Sequence, residues 1–182
     1  MIKLFDSGPK RLVRPRPLFD DSMEIELATV EQAERATDLW VALADEQIQY
    51  DSHVLPERNR SMVADELTRH AVTDRLVVAT ERGEIVGFVM YALDRGSYEM
   101  DVTQGVVENL YVEPESRNEG VGGELLAAAE RQLDGLGAET VVLEAMAENL
   151  AARRFYRRHD YDTHRVQLEK SLESDNHSRE GR

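Results

Sequence analysis

The stretch ENLYVEPESRNEGVGGELL, from Glu108 to Leu126, carries the strongest fold signal in this 182-residue chain. Its first part is an apolar, β-branched run up to Val112 that Pro114 stops, which is typical of a β-strand. A glycine-rich turn follows, and from about Gly120 to Gly135 apolar residues recur at helical spacing. Because the first N–H groups of a helix have no partner within it, this turn predicts an anion site suited to a diphosphate. On its own, the motif is at least as typical of a plain tight turn.

Regular patterns extend in both directions from this stretch. Period-two and apolar runs predict strands, whereas apolar residues at spacings of three and four predict helices. Strands that first meander and then alternate with helices indicate a mixed α/β sheet. We expect strands at 23–28, 75–80, 84–93, 106–112, 140–145 and about 163–168, and helices from 29 onward, at 57–72, 120–135 and 149–159.

Composition excludes several classes of protein. With 36 acidic against 22 basic residues the formal charge is −14, which argues against a nucleic-acid-binding protein. The absence of cysteine excludes disulfides, a thiolate nucleophile and cysteine-based metal sites. The sequence has neither a long apolar run nor an apolar signal segment, so we expect a cytoplasmic protein without membrane contact. Nineteen arginines and only three lysines on an acidic background resemble proteins of salt-loving archaea, since salt screens surface repulsion; an acidic mesophilic protein is the alternative.

Both ends of the chain differ from its middle. Residues 1–22 combine prolines with basic residues and show no sustained period, which predicts a flexible N-terminal arm. Residues 173–182 are polar and aperiodic, which predicts a disordered C-terminal tail. A single folded domain over residues 23–172 lies between them.

A second informative stretch, TVVLEAMAENLAARRFYRRHDY, runs from Thr140 to Tyr161. Asn149, Ala152 and Tyr156 are spaced i, i+3 and i+7, so they share one face of the predicted helix. Asn149 is also a good helix N-cap in any protein. Taken alone, Tyr156 is more typical of an amphipathic core tyrosine than of a site residue. Four arginines lie on this helix: Arg153, Arg154, Arg157 and Arg158. Their positive charges interact favourably with the negative end of the helix dipole, or one or two of them reach a phosphate of a ligand.

Together the two stretches resemble the GNAT superfamily of acetyl-CoA-dependent N-acetyltransferases. In that family an Arg/Gln-x-x-Gly-x-Gly/Ala loop holds the coenzyme A pyrophosphate, and Arg117, Gly120 and Gly122 occupy its defining positions. The family's downstream Asn and Tyr, on a helix that ends near an aromatic residue, match Asn149, Tyr156 and Tyr161. The resemblance implies a mixed, mostly antiparallel central sheet flanked by about four helices, with a splay between the fourth and fifth strands.

The resemblance also implies roles for individual residues. Acetyl-CoA would be the co-substrate, no metal is implied, and Tyr156 would be the general acid that protonates the departing sulfur. Backbone groups of the fourth strand would bind the pantetheine arm and the thioester oxygen. The implied coenzyme-binding residues are Leu110, Tyr111, Val112, Arg117, Asn118, Glu119, Gly120, Val121, Gly122, Gly123, Asn149, Ala152 and Tyr156.

The general base is open between two interpretations. By period two, Glu108 shares a strand face with Leu110 and Val112, and family members often carry a carboxylate in this strand. An ordinary surface glutamate is the equal alternative. Substrate would enter over the connection at 47–56, where Tyr50, Asp51 and His53 are polar, and the histidine spacings do not suggest a metal site.

Several expectations concern function and assembly. The acceptor would be a small-molecule amine or a protein amine; a non-catalytic acyl-CoA-binding sensor or scaffold is the alternative function. Asp160 replaces the family's usual glycine after the last helix, but Asp tolerates the left-handed conformation, so we expect the turn to form. The chain after Tyr161 is short, so a second subunit in a homodimer is expected to complete the sheet edge.

Overall fold

The computed structural model describes residues 23–94 and 99–172. The predicted N-terminal arm and C-terminal tail lie outside the described residues. The chain divides into two compact units, residues 1–146 and 147–182.

The first unit contains one five-stranded sheet. Its strands are hydrogen-bonded in chain order, antiparallel except for the last pair, which is parallel. With the helix of the second unit, this confirms the predicted mixed, mostly antiparallel sheet and four helices. The elements are β1 (Glu24–Leu27), α1 (Gln32–Gln47), α2 (Pro56–Val72), β2 (Leu76–Glu81), β3 (Glu84–Leu93), β4 (Gln104–Val112), α3 (Val121–Gly135) and β5 (Thr140–Leu143).

Local sequence signals explain where these elements begin and turn. Before α1, the Thr29 N–H donates to the Gln32 side chain at 2.8 Å and the Gln32 N–H donates to the Thr29 hydroxyl at 3.3 Å, a capping box. Arg82 and Gly83 have φ of 53° and 85°, and two positive φ values are what a tight two-residue hairpin turn requires. The predicted hairpin of β2 and β3 is therefore confirmed.

The two faces of the sheet are covered by different helices. On one face α1 and α2 pack against a core that includes Phe88, Met90 and Tyr111. On the other face α3 lies directly on the strands at two glycines, since a Cβ at Gly87 would be 3.1 Å from Leu125 and one at Gly105 would be 2.9 Å from Leu133. The sheet therefore has an α1–α2 face and an α3 face.

The parallel pairing of β4 with β5 is short. It runs from Gln104 opposite Thr140 to Val107 opposite Leu143, where β5 ends. Over its remaining length, β4 has a strand neighbour only in β3 among the described residues. The predicted separation of the fourth and fifth strands is thus present: the second half of β4 has no strand paired on its β5 side among the described residues, and this unpaired edge is called the opening.

The second unit contains α4 (Leu150–Arg158), and the strand predicted at about 163–168 is wrong. Residues 161–172 have no regular secondary structure, and Val166 and Leu168 are 74% and 89% exposed. A strand needs a neighbouring strand for its backbone N–H and C=O groups, and none of the described strands pairs with this segment. Alternation along a sequence does not by itself supply that neighbour.

The turn after α4 forms as expected. Asp160 has φ of 64°, and the Tyr161 N–H donates to the Tyr156 carbonyl at 3.1 Å, closing the helix. Within the two described ranges, the helices are all too short or too polar to span a bilayer.

Candidate active site

A β-bulge in β4 decides where Glu108 points. Met90 is opposite Asn109 and Tyr91 is opposite Val107, so Glu108 is an extra residue without a partner in β3. An inserted residue shifts the alternation of side chains along a strand. The bulge therefore breaks the period-two relation expected between Glu108 and Leu110.

The side chains on either side of the bulge reach different faces of the sheet. Val112 is opposite Gly87, whose Cβ position points at Leu125 of α3, so Val112 and Leu110 lie on the α3 face. Glu108 instead reaches the α1–α2 face, where its Oε2 lies 2.9 Å from Nε2 of His70 on α2. The prediction that Glu108 shares a face with Leu110 and Val112 is wrong, because the bulge adds one residue to the repeat.

His70 is held at both ring nitrogens. Its Nδ1 lies 2.9 Å from the Glu66 carbonyl of the preceding helical turn, and its side chain is 13% exposed. Burial lowers the pKa of His70, but the hydrogen bonds and negative charge of Glu108 and Glu66 outweigh it, so the pKa is raised above 6.5. Glu108 of β4 and His70 of α2 therefore form a close carboxylate–imidazole pair.

A second centre joins Tyr111, Glu46 and Arg117. The Tyr111 hydroxyl donates to Oε1 of Glu46 at 2.9 Å, and Nη2 of Arg117 donates to both carboxylate oxygens of Glu46 at 2.8 and 2.9 Å. Nε of Arg117 donates to the Val112 carbonyl at 2.8 Å, and the guanidinium lies 5.2 Å from the centre of the Tyr111 ring. Burial, followed by the hydrogen bond to Glu46, raises the pKa of Tyr111 to about 12. The Arg117 side chain thus fixes the start of the glycine-rich loop to α1 and β4.

Two further contacts bind the end of β4 and the residue after it to α1. Nε1 of Trp40 donates to Oδ1 of Asn109 at 3.1 Å, and Arg35 forms an ion pair with Glu113. Sequence reasoning did not assign a role to either pair, nor to His70 and Glu46. Sequence patterns predicted the helices and the strand near which these residues lie. A single sequence does not show which residue of one element contacts which residue of another.

The loop before α3 has the backbone of an anion site. Asn118 and Gly120 have φ of 66° and 93°, and α3 begins at Val121. The first bond of the helix runs from the Glu124 N–H to the Gly120 carbonyl at 3.1 Å. The N–H groups of the three residues in between, Val121, Gly122 and Gly123, therefore have no acceptor within the helix. A Cβ at Gly120 would meet open space, so glycine is needed there for its positive φ.

Backbone groups of β4 also face the opening beside β5. The Glu113 N–H donates to the Val86 carbonyl of β3 at 2.8 Å. Residues of an antiparallel strand alternate between pointing both backbone groups at that neighbour and pointing both away. Leu110 and Val112 therefore turn their N–H groups to the opening, whereas the backbone groups of Tyr111 turn to β3.

In the second unit, three predicted site residues, Asn149, Ala152 and Tyr156, lie at or within α4. Oδ1 of Asn149 accepts a hydrogen bond from the Ala152 N–H at 3.0 Å, so Asn149 caps the helix. Tyr156 packs edge-on between Phe155 and Tyr161, with ring centres 5.2 and 6.0 Å away. Burial raises the pKa of the Tyr156 hydroxyl to about 12. At neutral pH this hydroxyl carries its proton.

The remaining candidates have local roles. Tyr50 ends a short 3₁₀ turn, Asp51 has φ of 65°, and both lie with His53 in the connection between α1 and α2, as predicted. Arg153 donates to the Ala147 carbonyl at 3.0 Å, which stabilises the start of α4. The described ranges contain no group of three or more His, Asp or Glu side chains placed to hold a metal ion.

Comparison with known proteins now assigns the family. The family model described as the acetyltransferase (GNAT) family matches residues 27–161. The chain belongs to the GNAT family. A curated relative from Bacillus subtilis (strain 168), an uncharacterized N-acetyltransferase named YhfO, is 31% identical over 87 residues, which are 48% of this chain and 58% of that protein. This chain thus spans less than two thirds of that relative's length.

Solved structures share the fold of this GNAT chain. A GCN5-related N-acetyltransferase from Ralstonia eutropha JMP134 has a TM-score of 0.65 and 19% identity, covering 83% of this chain and 99% of that one. The aminoglycoside N-acetyltransferase AAC(6')-Iy, in complex with CoA, has a TM-score of 0.63 and 18% identity, covering 88% and 99%. The salt-adapted archaeal origin expected from composition is not supported by these relatives.

Proposed function

We propose that this GNAT chain transfers the acetyl group of acetyl-CoA to a primary amine by direct attack of the amine on the thioester. One observation carries the proposal. The family's diphosphate loop, from Arg117 to Gly123, holds its backbone so that three consecutive N–H groups lack acceptors within α3. Family membership and the opening beside β4 support the same conclusion.

The coenzyme would contact backbone amides of the glycine-rich loop, backbone groups of β4 and side chains of α4. Its diphosphate would be held by the main-chain amides of residues 118–123. The side chain of Arg117 would not hold it, because its guanidinium is already bound to Glu46. Its pantetheine arm would run along the Leu110–Val112 segment, where Leu110 and Val112 offer backbone groups to the opening. Asn149, Ala152 and Tyr156 are the family's contacts in α4, and we propose the same role here.

Glu108 is the proposed general base and Tyr156 the proposed general acid. With its pKa near 12, Tyr156 keeps its proton over the working range of pH. A thiol has a pKa of about 8.5, so the free thiolate does not take this proton completely. As general acid the hydroxyl therefore shares its proton with sulfur in the transition state, where negative charge develops, and the free thiolate then takes its final proton from solvent.

The acceptor class is proposed from the neighbours. Solved neighbours include an aminoglycoside acetyltransferase bound to sisomicin and AAC(6')-Iy bound to a bisubstrate analogue of CoA and an acetylneamine. We propose a small-molecule amine or a protein amine as acceptor, in the cytoplasm. We also propose a homodimer, since β5 has a strand neighbour on one side only within the described residues.

Thiol release from acetyl-CoA across a panel of primary amines tests the proposal. Transfer to at least one amine is expected, and Tyr156→Phe should lower kcat by about 10² to 10⁴-fold while leaving the Kd for acetyl-CoA within about two-fold. Tyr161→Phe is the matched control. Tight binding of acetyl-CoA without transfer to any amine would instead favour the acyl-CoA-binding sensor or scaffold, and equal turnover by Tyr156→Phe would remove Tyr156 from the chemistry.

A further inference from the structure

We propose that His70 is a positioning residue for Glu108 and holds the proton that Glu108 removes from the acceptor, so that the base is a His–Glu pair. The inference rests on the proposed function and specifies its base. It is carried by the bulge in β4, which turns Glu108 to the α1–α2 face, and by the two polar contacts of the His70 ring.

The contacts of the ring fix which nitrogen carries a proton. The Glu66 carbonyl only accepts hydrogen bonds, so Nδ1 of His70, 2.9 Å away, must be the donor. Nε2 is then either protonated or carries a lone pair toward Oε2 of Glu108, also 2.9 Å away. A lone pair facing a carboxylate is repulsive, so this distance fits a proton shared between the two residues.

Once the pair has lost this proton, it has a place for one proton from a substrate. The N–H bond of the acceptor ammonium breaks, its proton bonds to a Glu108 oxygen, and the proton then passes to Nε2 of His70. The amine that results keeps its electron pair for attack on the thioester carbon, and the C–S bonding pair leaves with sulfur. After the attack nitrogen loses its second proton to solvent, the thiolate, hydrogen-bonded to Tyr156, gains one proton from solvent, and His70 releases its proton to solvent, so the net reaction frees one proton.

Imidazole is a better acceptor than a carboxylate for this purpose. A free carboxylate has a pKa of about 4.3, far below that of an alkyl ammonium group at about 10.4, so a lone Glu108 would hold the proton poorly. The charged groups that face His70 are Glu108 from β4 and Glu66 from its own helix, both negative, and they raise the pKa of His70 despite burial. The pair is active when deprotonated, so activity must fall as the pH drops through the pKa of His70.

A titration without substrate tests the pair directly. NMR of the His70 ring in the full chain should give a pKa above 6.5, and Glu108→Gln should lower it by about one unit, because a neutral amide replaces the carboxylate. His159 is the internal reference, since its Nδ1 makes the same 2.9 Å contact to the carbonyl four residues earlier but its ring packs on Phe155. A His70 pKa that Glu108→Gln leaves unchanged would overturn the pair.

The pH profile of kcat/KM then tests its role. In the wild type the acid limb should have its midpoint at the His70 pKa measured by NMR. In His70→Gln that midpoint should fall by about one unit or more, toward the range of a carboxylate, and the plateau should drop. His159→Gln should leave the midpoint where it is. A loss of activity by His70→Gln with an unmoved midpoint would mean a merely structural role and would overturn the inference.

The outcomes separate this inference from the function on which it rests. If no amine is acetylated, the proposed function fails, and the role of His70 as base fails with it, whatever the NMR titration shows. If amines are acetylated and the midpoint does not follow His70, only the inference fails. Should His70→Gln not fold, His70→Asn, which keeps a side-chain donor, is measured for the same midpoint.

Discussion

The two halves of β4 are held in different ways. From Gln104 to Val107 the strand lies between β3 and β5 and is fixed by backbone pairing on both sides. Beyond Val107 it is no longer paired with β5, and three polar side chains of the strand, together with Glu113 directly after it, bind this half to the helices instead. These contacts are Glu108 with His70, Asn109 with Trp40, Tyr111 with Glu46, and Glu113 with Arg35.

The difference shows how a strand can lose its pairing on one side and still be held in place. A strand edge that faces a ligand has to keep its backbone groups unpaired, so it gives up the ladder that would otherwise fix it. In this chain, side-chain hydrogen bonds and ion pairs on the α1–α2 face replace that ladder. The predictions below test whether the open half carries binding and chemistry while the paired half carries only structure.

The largest effect is expected at Glu108. Glu108→Gln removes the proposed base and should lower kcat/KM by about 10² to 10⁴-fold. Gln104→Ala, in the paired half, should change kcat/KM by less than about two-fold. Steady-state kinetics on one acceptor amine compares the two variants. If both lose activity equally, the distinction between the two halves is wrong.

Arg117 tests the junction between the open half and the glycine-rich loop. Arg117→Lys keeps the positive charge but cannot reach both Glu46 and the Val112 carbonyl in the same geometry. We expect the Kd for acetyl-CoA, measured by calorimetry, to rise about ten-fold, corresponding to about 1.4 kcal/mol. Arg131→Lys, on the exposed side of α3, is the control. Unchanged affinity would show that charge alone matters at Arg117.

A substitution at Trp40 tests whether the side-chain contacts between the second half of β4 and the helices stabilise the fold. Trp40→Phe removes the N–H that Asn109 accepts and leaves a partly buried amide without this donor. The free energy of unfolding should fall by about 1 to 3 kcal/mol. Asn109→Leu and the double variant complete a cycle in urea denaturation. Strictly additive losses in that cycle would mean that the two side chains do not couple.

The smallest effect concerns salt. Glu115 and Glu119 place negative charge next to the loop that is proposed to hold a diphosphate. Raising KCl from about 0.1 M to about 1 M shortens the screening length from about 10 to 3 Å, which weakens this repulsion. The affinity for acetyl-CoA should therefore hold or improve. A steep, steady loss of affinity with KCl would contradict this prediction.

Local rules predicted most of the fold and only part of the site. β3 has the predicted bounds, Asn149 caps α4, and Asp160 adopts the left-handed turn, because each depends on a few neighbouring residues. The strand at about 163–168 failed because a strand also needs a partner. The face of Glu108 failed because a bulge changes the count of residues along a strand, and period-two reasoning assumes that the count is regular.

The extra residue in β4 has a consequence for anyone who alters the specificity of this chain. One strand carries two phases of side-chain orientation, and the phase changes at a single position. Deleting Glu108 alone would remove the bulge, so the side chains of the whole strand would alternate regularly between the two faces. The carboxylate on the α1–α2 face would be lost with it. Redesign should therefore keep the length of this strand fixed and exchange side chains only.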